Sequence, residues 1–188
     1  MRRNSSLDVC SVQSRSYSVI RVCARPAARS RGVLLAGGRA IAVVLGRAGM
    51  RANKFEGDGA TPRGRFRPLR LWWQADRHPR PHTLLPVGRI SPDLAWCEDT
   101  ADRHYNRPFR RSVREPGDRL WRKDHLYDFV IEINHNRSPR IAGRGSAVFF
   151  HLARPDRSPT AGCVALALSD LRRLVVHLGP KTRIIIGT

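Results

Sequence analysis

Gly145-Ser146-Ala147-Val148-Phe149-Phe150-His151-Leu152, then after a proline-containing connection Pro159-Thr160-Ala161-Gly162-Cys163-Val164-Ala165-Leu166, is the stretch on which the reading of this 188-residue chain turns. From Ser146 to Leu152 the pattern predicts a strand with Ala147, Phe149 and His151 on one face and Val148, Phe150 and Leu152 on the other. His151 closes that strand, and Cys163 follows twelve positions later, a separation over which the chain can fold the thiol back beside the imidazole. A thiol becomes a nucleophile on losing its proton. A neighbouring imidazole accepts that proton and, once charged, stabilises the thiolate. Gly162 permits a sharp turn that aims backbone N–H groups near Cys163 at a developing oxyanion. The competing reading of the same spacing is a buried structural cysteine beside a core histidine.

Outward from this stretch the pattern is mainly β. Upstream, Leu126 to Asn134 alternates Tyr127, Phe129, Ile131 and Ile133 against Asp128, Val130, Glu132 and Asn134, as a half-buried strand does. Downstream, Leu171, Leu174, Val175 and Leu178 have helical spacing, with Ser169 as the expected N-cap and Gly179-Pro180 as the stop. Thr182 to Ile186 then reads as an apolar strand. Nearer the start, Ser18 to Cys23 reads as a short strand, and Val33 to Leu45 as a β-hairpin turning at Gly37-Gly38. Lys54 to Gly64 is dense in turn formers and predicts an irregular loop of the kind that carries binding residues, leading into a strand from Arg65 to about Trp73. Residues 74–125 predict a long coil-rich excursion with Trp96, Tyr105 and Trp121 as isolated anchors. Residues 1–15 are polar and aperiodic and predict a disordered tail, leaving 16–188 as a single domain.

The bulk composition narrows the function classes. Thirty-five Lys and Arg against fifteen Asp and Glu give a net charge of +20, nearly all of it arginine. Such a charge suits a polyanion-binding module, yet the arginines are scattered and accompany no nucleic-acid recognition motif, so no specific nucleic-acid partner is expected. Cys10, Cys23, Cys97 and Cys163 form no zinc-ligand spacing, and their pairing is left open. His78 and His82 stand at HxxxH spacing, but Pro79 and Pro81 forbid the helix that a metal pair of this kind uses. No metal or cofactor is therefore expected. No secretory signal is readable after Met1-Arg2-Arg3, and no apolar run is long enough to span a bilayer.

The two halves of the quoted stretch together resemble the signature of the L,D-transpeptidase catalytic domain, the YkuD type: a strand-end histidine, then a small hydroxyl residue, a variable position, glycine and the nucleophilic cysteine. Thr61-Pro62-Arg63-Gly64-Arg65-Phe66 is similar to a second segment of that family, so the resemblance spans roughly residues 32–187. Ala161 and Ala165 depart from it, standing where many members carry a histidine and an arginine. The resemblance implies an L,D-transpeptidase-like β-sandwich with one or two short helices. It also implies a cysteine acyltransferase of peptidoglycan and cell-wall biogenesis, with donor and acceptor peptide stems as its partners, in the periplasm or cell wall. In that scheme Cys163 is the nucleophile, His151 its base, and Gly162 with the Cys163 amide the oxyanion donors. Hydrolysis of the same stems, as an L,D-carboxypeptidase or endopeptidase, uses the same pair. A non-catalytic basic module for polyanions is the alternative from another class.

Overall fold

A computed structural model of the chain describes residues 16–110 and 117–187, so the tail expected over residues 1–15 lies outside the described residues. Strand β1 (Val19–Arg25), β2 (Ala28–Ala36) and β3 (Arg39–Val44) form an antiparallel run. The β2–β3 hairpin turns where the sequence places it: Gly37 and Gly38 take φ of 53° and 75°, the positive values a two-residue turn between twisted strands requires. The chain continues through β4 (Met50–Arg51), β5 (Thr61–Pro62), β6 (Gly64–Phe66) and β7 (Pro68–Trp73). It then forms β8 (Val87–Arg89), β9 (Leu94–Trp96), β10 (Pro108–Arg110) and β11 (Asp118–Arg119). The last elements are β12 (Phe129–Ile133), β13 (Phe149–Leu152), β14 (Val164–Leu166), helix α1 (Leu168–Val176) and β15 (Arg183–Ile186).

Ten strands join in one sheet in the order β6-β15-β1-β2-β3-β14-β13-β12-β7-β8. Side chains from strands far apart in this order share one core: Ile20 of β1, Leu34 of β2, Ile131 of β12, Leu71 of β7 and Ile184 of β15, with Leu171 and Leu174 of α1. A flat sheet cannot bring them together, so the sheet curls around that core and α1 packs within it. The fold is thus mainly β with curled sheets and a single described helix, in accord with the L,D-transpeptidase type of architecture.

Strand β13 divides two cores, as its alternation predicts. Val148, Phe150 and Leu152 enter the main core, whereas Ala147 and Phe149 enter a second one with Trp72, Trp96, Leu120, Val130 and Cys163. Phe149 and Phe150 are each 1% exposed, and burial of side chains this size contributes roughly 1.5–3 kcal/mol apiece. The two phenylalanines anchor the strand between the layers, and His151 is fixed with it.

Three expectations need correction. The strand read as half-buried over Leu126–Asn134 is β12, and it is buried along its whole length because Phe129, Ile131 and Ile133 on one face enter the main core while Val130 on the other enters the second. Its polar side chains are satisfied inside: Glu132 accepts from Trp72 Nε1 at 3.0 Å and Arg137 at 2.9 Å, and Asp128 pairs with Arg77 at 2.6 Å and His78 at 2.9 Å. Period-two polarity there reflects paired charges, which an alternation argument cannot tell from solvent exposure. The excursion over residues 74–125 is more than coil, since β10, β9 and β11 form a separate sheet. Strands of two or three residues are too short to show periodicity. Finally, α1 begins two residues earlier than expected, with Ala167 in place of Ser169 as N-cap and no side-chain cap, because the chain passes almost directly from β14 into the helix.

Candidate active site

The pairing of β13 with β14 sets the geometry. These strands are parallel, with Phe150 opposite Val164 and His151 opposite Ala165. Cys163, one residue before β14, therefore falls opposite Phe149, and alternation puts Phe149, His151, Cys163 and Ala165 on one face. With strands spaced about 4.8 Å apart and rising about 3.3 Å per residue, His151 and Cys163 are diagonal neighbours about 8 Å apart at Cα. Their side chains border the same cavity of about 450 Å³. Ala165, the register partner of His151, also borders it, and its methyl leaves that space open where a longer side chain would fill it.

The thiol is held from two sides. It donates to the Ala147 carbonyl at 3.1 Å and accepts the Phe149 N–H at 3.3 Å. Ala147 adopts a positive φ of 49°, a conformation seldom taken by a residue with a side chain, and this turns its carbonyl toward the sulfur. Burial pushes the Cys163 thiol up to about 12, so at neutral pH it keeps its proton. His151 is 7% exposed, and burial lowers it to about 4, so it is neutral. Its Nδ1 lies 2.8 Å from the Leu152 carbonyl, which can only accept. The proton must then sit on Nδ1, leaving Nε2 with a lone pair for a base's work. The resting pair is neutral thiol and neutral imidazole, and the charged pair that the spacing suggests is absent from this state.

The two separated motifs of the sequence meet at the carbonyl of Cys163. Thr160 Oγ1 donates to it at 2.7 Å and Thr61 Oγ1 approaches at 3.4 Å. Thr160 Oγ1 also accepts the Gly162 N–H at 3.1 Å, and Thr61 Oγ1 accepts the Gly46 N–H at 2.8 Å. The Gly162 amide, expected to face an oxyanion, is thus committed within its own loop. What Gly162 does supply is backbone shape: its φ is 151°, and an added Cβ would lie 2.8 Å from the Ala60 carbonyl. Gly162→Ala is therefore expected to cost about 2–3 kcal/mol. In a chain of this size that lowers Tm by roughly 5–10 °C, checked by thermal melting; an unchanged Tm would refute the tight approach of the two loops.

Several site residues escaped the sequence reading. Lys54, 6% exposed, pairs with Asp58 at 2.6 Å beside the Gly162 loop, so the loop singled out as a binding candidate does border the cavity. Tyr127 makes an edge-to-face contact with the His151 ring, centroids 5.2 Å apart, donates its hydroxyl to Asp118 at 2.7 Å, and has the Arg122 guanidinium over its ring at 5.0 Å. Glu98 and Asp118 reach the cavity from the small sheet of the excursion. Lys54 lies in a loop the sequence marks and pairs locally with Asp58, whereas Glu98, Asp118 and Tyr127 carry no local signal of a site, because long-range contacts bring them together. His78 is engaged with Asp128 and stacks near Phe129, and the described residues contain no group of three or more metal-ligating side chains. Cys23, Cys97 and Cys163 are free thiols. No described helix is long and apolar enough to cross a membrane.

In a comparison with known families, the family model for the L,D-transpeptidase catalytic domain, YkuD, matches residues 21–186. No curated protein and no solved structure matches the chain significantly.

Proposed function

This chain belongs to the L,D-transpeptidase catalytic-domain family, and we propose that it is itself a peptidoglycan L,D-transpeptidase in which Cys163 is the nucleophile and His151 the base. The family is one of cysteine-dependent enzymes acting on peptidoglycan. The observation that carries the reading for this member is the β13–β14 register, which sets the thiol and an imidazole with a free Nε2 on one face of one cavity. Residues 16–188 act as one catalytic unit in this reading, working outside the cytoplasmic membrane where the stems are.

The chemistry follows from two neutral groups. As Cys163 Sγ attacks the carbonyl between the diamino acid and the terminal D-alanine of a donor stem, its proton passes to His151 Nε2. Transfer is concerted with attack, since neither group ionises alone near pH 7. The tetrahedral intermediate places its negative oxygen toward backbone donors, with the Cys163 amide as the candidate once Gly162 is engaged. Collapse breaks the C–N bond, the imidazolium protonates the departing amine, and D-alanine and a thioester result. An acceptor amine then attacks the thioester, loses its proton to His151, and expels the Cys163 sulfur, which recovers that proton as thiol. One amide is broken and one formed.

Incubation of the protein with a disaccharide-free tetrapeptide stem tests this, with products followed by mass spectrometry. Release of D-alanine together with a cross-linked dimer is the expected result. D-alanine without dimer would replace transpeptidation by hydrolysis on the same Cys-His pair, and neither product would remove the assignment.

A further inference from the structure

The cavity beside Cys163 has an acidic wall that the acylation chemistry above does not use. Glu98 follows β9, Asp118 opens β11, and Glu56 comes from the loop after β4. Only fifteen residues of this +20 chain are acidic, and three of them converge on the one cavity that also holds the thiol. Four cations share the lining, Arg47, Lys54, Arg122 and Arg154, and they leave Glu98 unpaired. Lys54 is spent on Asp58, the Tyr105 hydroxyl serves Glu56, Arg122 lies 3.5 Å from Asp118 but only 2.6 Å from Asp124, and among the described residues no ion pair joins Arg47 or Arg154 to any of the three. Among the described residues Glu98 has no ion-pair or hydrogen-bond partner; burial of its carboxyl, and then repulsion from Asp118 and Glu56, raise it to about 7. Much of the Glu98 residue faces solvent, so it is the carboxyl end that turns into the cavity.

A second feature of the same cavity lacks a partner. Ser146 is 7% exposed and borders the cavity, and its hydroxyl, though close to that of Tyr105, forms no well-directed hydrogen bond with any described residue. An enclosed hydroxyl is rarely left so in a folded protein unless something else completes it. An N–H donor from a ligand supplies what both Ser146 and Glu98 lack: a proton for the hydroxyl oxygen and a positive charge for the carboxylates.

We infer that Glu98, Glu56 and Asp118, with Ser146, form a subsite for a ligand's ammonium group, the side-chain amine of an acceptor stem, and that Glu98 is the residue that selects it. The identification of the ligand as a stem rests on the transpeptidase reading above. The binding itself does not. A carboxylate held among like charges gains more from a cation than one already neutralised, so Glu98 contributes most of the preference.

The test is calorimetric titration of Cys163→Ala, in which transfer is switched off, with a tetrapeptide stem carrying a free side-chain amine and with the same stem acetylated on that amine. The free-amine stem is expected to bind about tenfold more tightly, an order of magnitude ordinary for one charge-assisted contact. Adding Glu98→Gln is expected to make the two affinities equal, and high salt to narrow the gap. Glu98 lies at the surface, so its replacement leaves the core intact; Cys163→Ser is used where the alanine variant melts early. Equal affinities with Glu98 present, or a preference that survives Glu98→Gln, would overturn the inference. Thioester formation on the unmodified protein reads the catalytic assignment separately. A thioester without amine preference defeats only the subsite, and amine preference without a thioester defeats only the transfer chemistry.

Discussion

Cys163→Ala is expected to abolish acyl transfer, with D-alanine release and thioester formation falling by at least about 10³-fold, as loss of a covalent nucleophile does. The direct measurement is intact-protein mass spectrometry after exposure to a carbapenem, an acylating agent expected to trap an activated thiol of this kind. One adduct on the unmodified protein, absent from Cys163→Ala, is the expected pair of spectra. The other described thiols provide an internal control. Cys97 is buried with its thiol raised by that burial, and Cys23 is half-buried in β1. Cys163 also has a raised thiol, so mere acidity cannot make it the reactive one. Selectivity has to come from the neighbouring imidazole and the cavity. An adduct on Cys97 or Cys23 that persists in Cys163→Ala would show reactivity unrelated to that machinery, and would return Cys163 to the role of a buried structural cysteine. Stability should change little in the variant: the thiol contributes two weak hydrogen bonds, one donated to the Ala147 carbonyl and one accepted from the Phe149 N–H, and a small buried volume.

How much of this was legible in the sequence depends on whether a residue's role is set by near neighbours in the chain. The β2–β3 turn is local, because Gly37-Gly38 alone supplies the two positive φ values. The two faces of β13 are local too, and they place His151 toward the second core before any partner strand is known. The helix is read from the spacing of Leu171, Leu174 and Val175, though its start is not, since Ala167 caps it only because β14 runs straight into it. Glu132 and Asp128 look solvent-facing in the sequence and are buried, because Trp72, Arg77 and His78 reach them from segments far away in the chain, with Arg137 completing the Glu132 pair from the turn that follows. The acidic wall of the cavity fails for the same reason. Glu98 and Asp118 are twenty positions apart and flank very short strands, so nothing near either of them announces a shared site. The hydroxyls of Thr61 and Thr160 fall between these cases: each motif is visible, but their common target, the Cys163 carbonyl, is a fact of the fold.

His151→Ala is expected to lower the acylation rate about 10²–10⁴-fold, the range that a positioned base supplies, and the unmodified protein should give a pH profile that separates two mechanisms. A preformed thiolate–imidazolium pair would lose activity on either side of two pKa values near neutrality. The buried, neutral pair found here behaves otherwise. His151 is the competent base once deprotonated, so the rate should rise through about pH 4 and then stay level across neutrality, because the thiol at about 12 does not ionise in that range. His151→Ala should lose the acid limb along with the rate. The same burial has a consequence for stability. In the unfolded chain a histidine titrates near 6.5, and in the fold His151 titrates near 4, so between those values the unfolded state binds the extra proton. The contribution is fully present above pH 6.5 and is lost as pH falls toward 4, by ~3 kcal/mol at about 1.4 kcal/mol per unit. Denaturant melts at pH 7 and pH 4.5 should therefore show acid destabilisation that is smaller in a well-folded His151→Gln variant. A bell-shaped rate profile centred near neutrality, with equal acid sensitivity in both proteins, would mean that His151 is charged in the resting site and that the thiol is activated before substrate arrives.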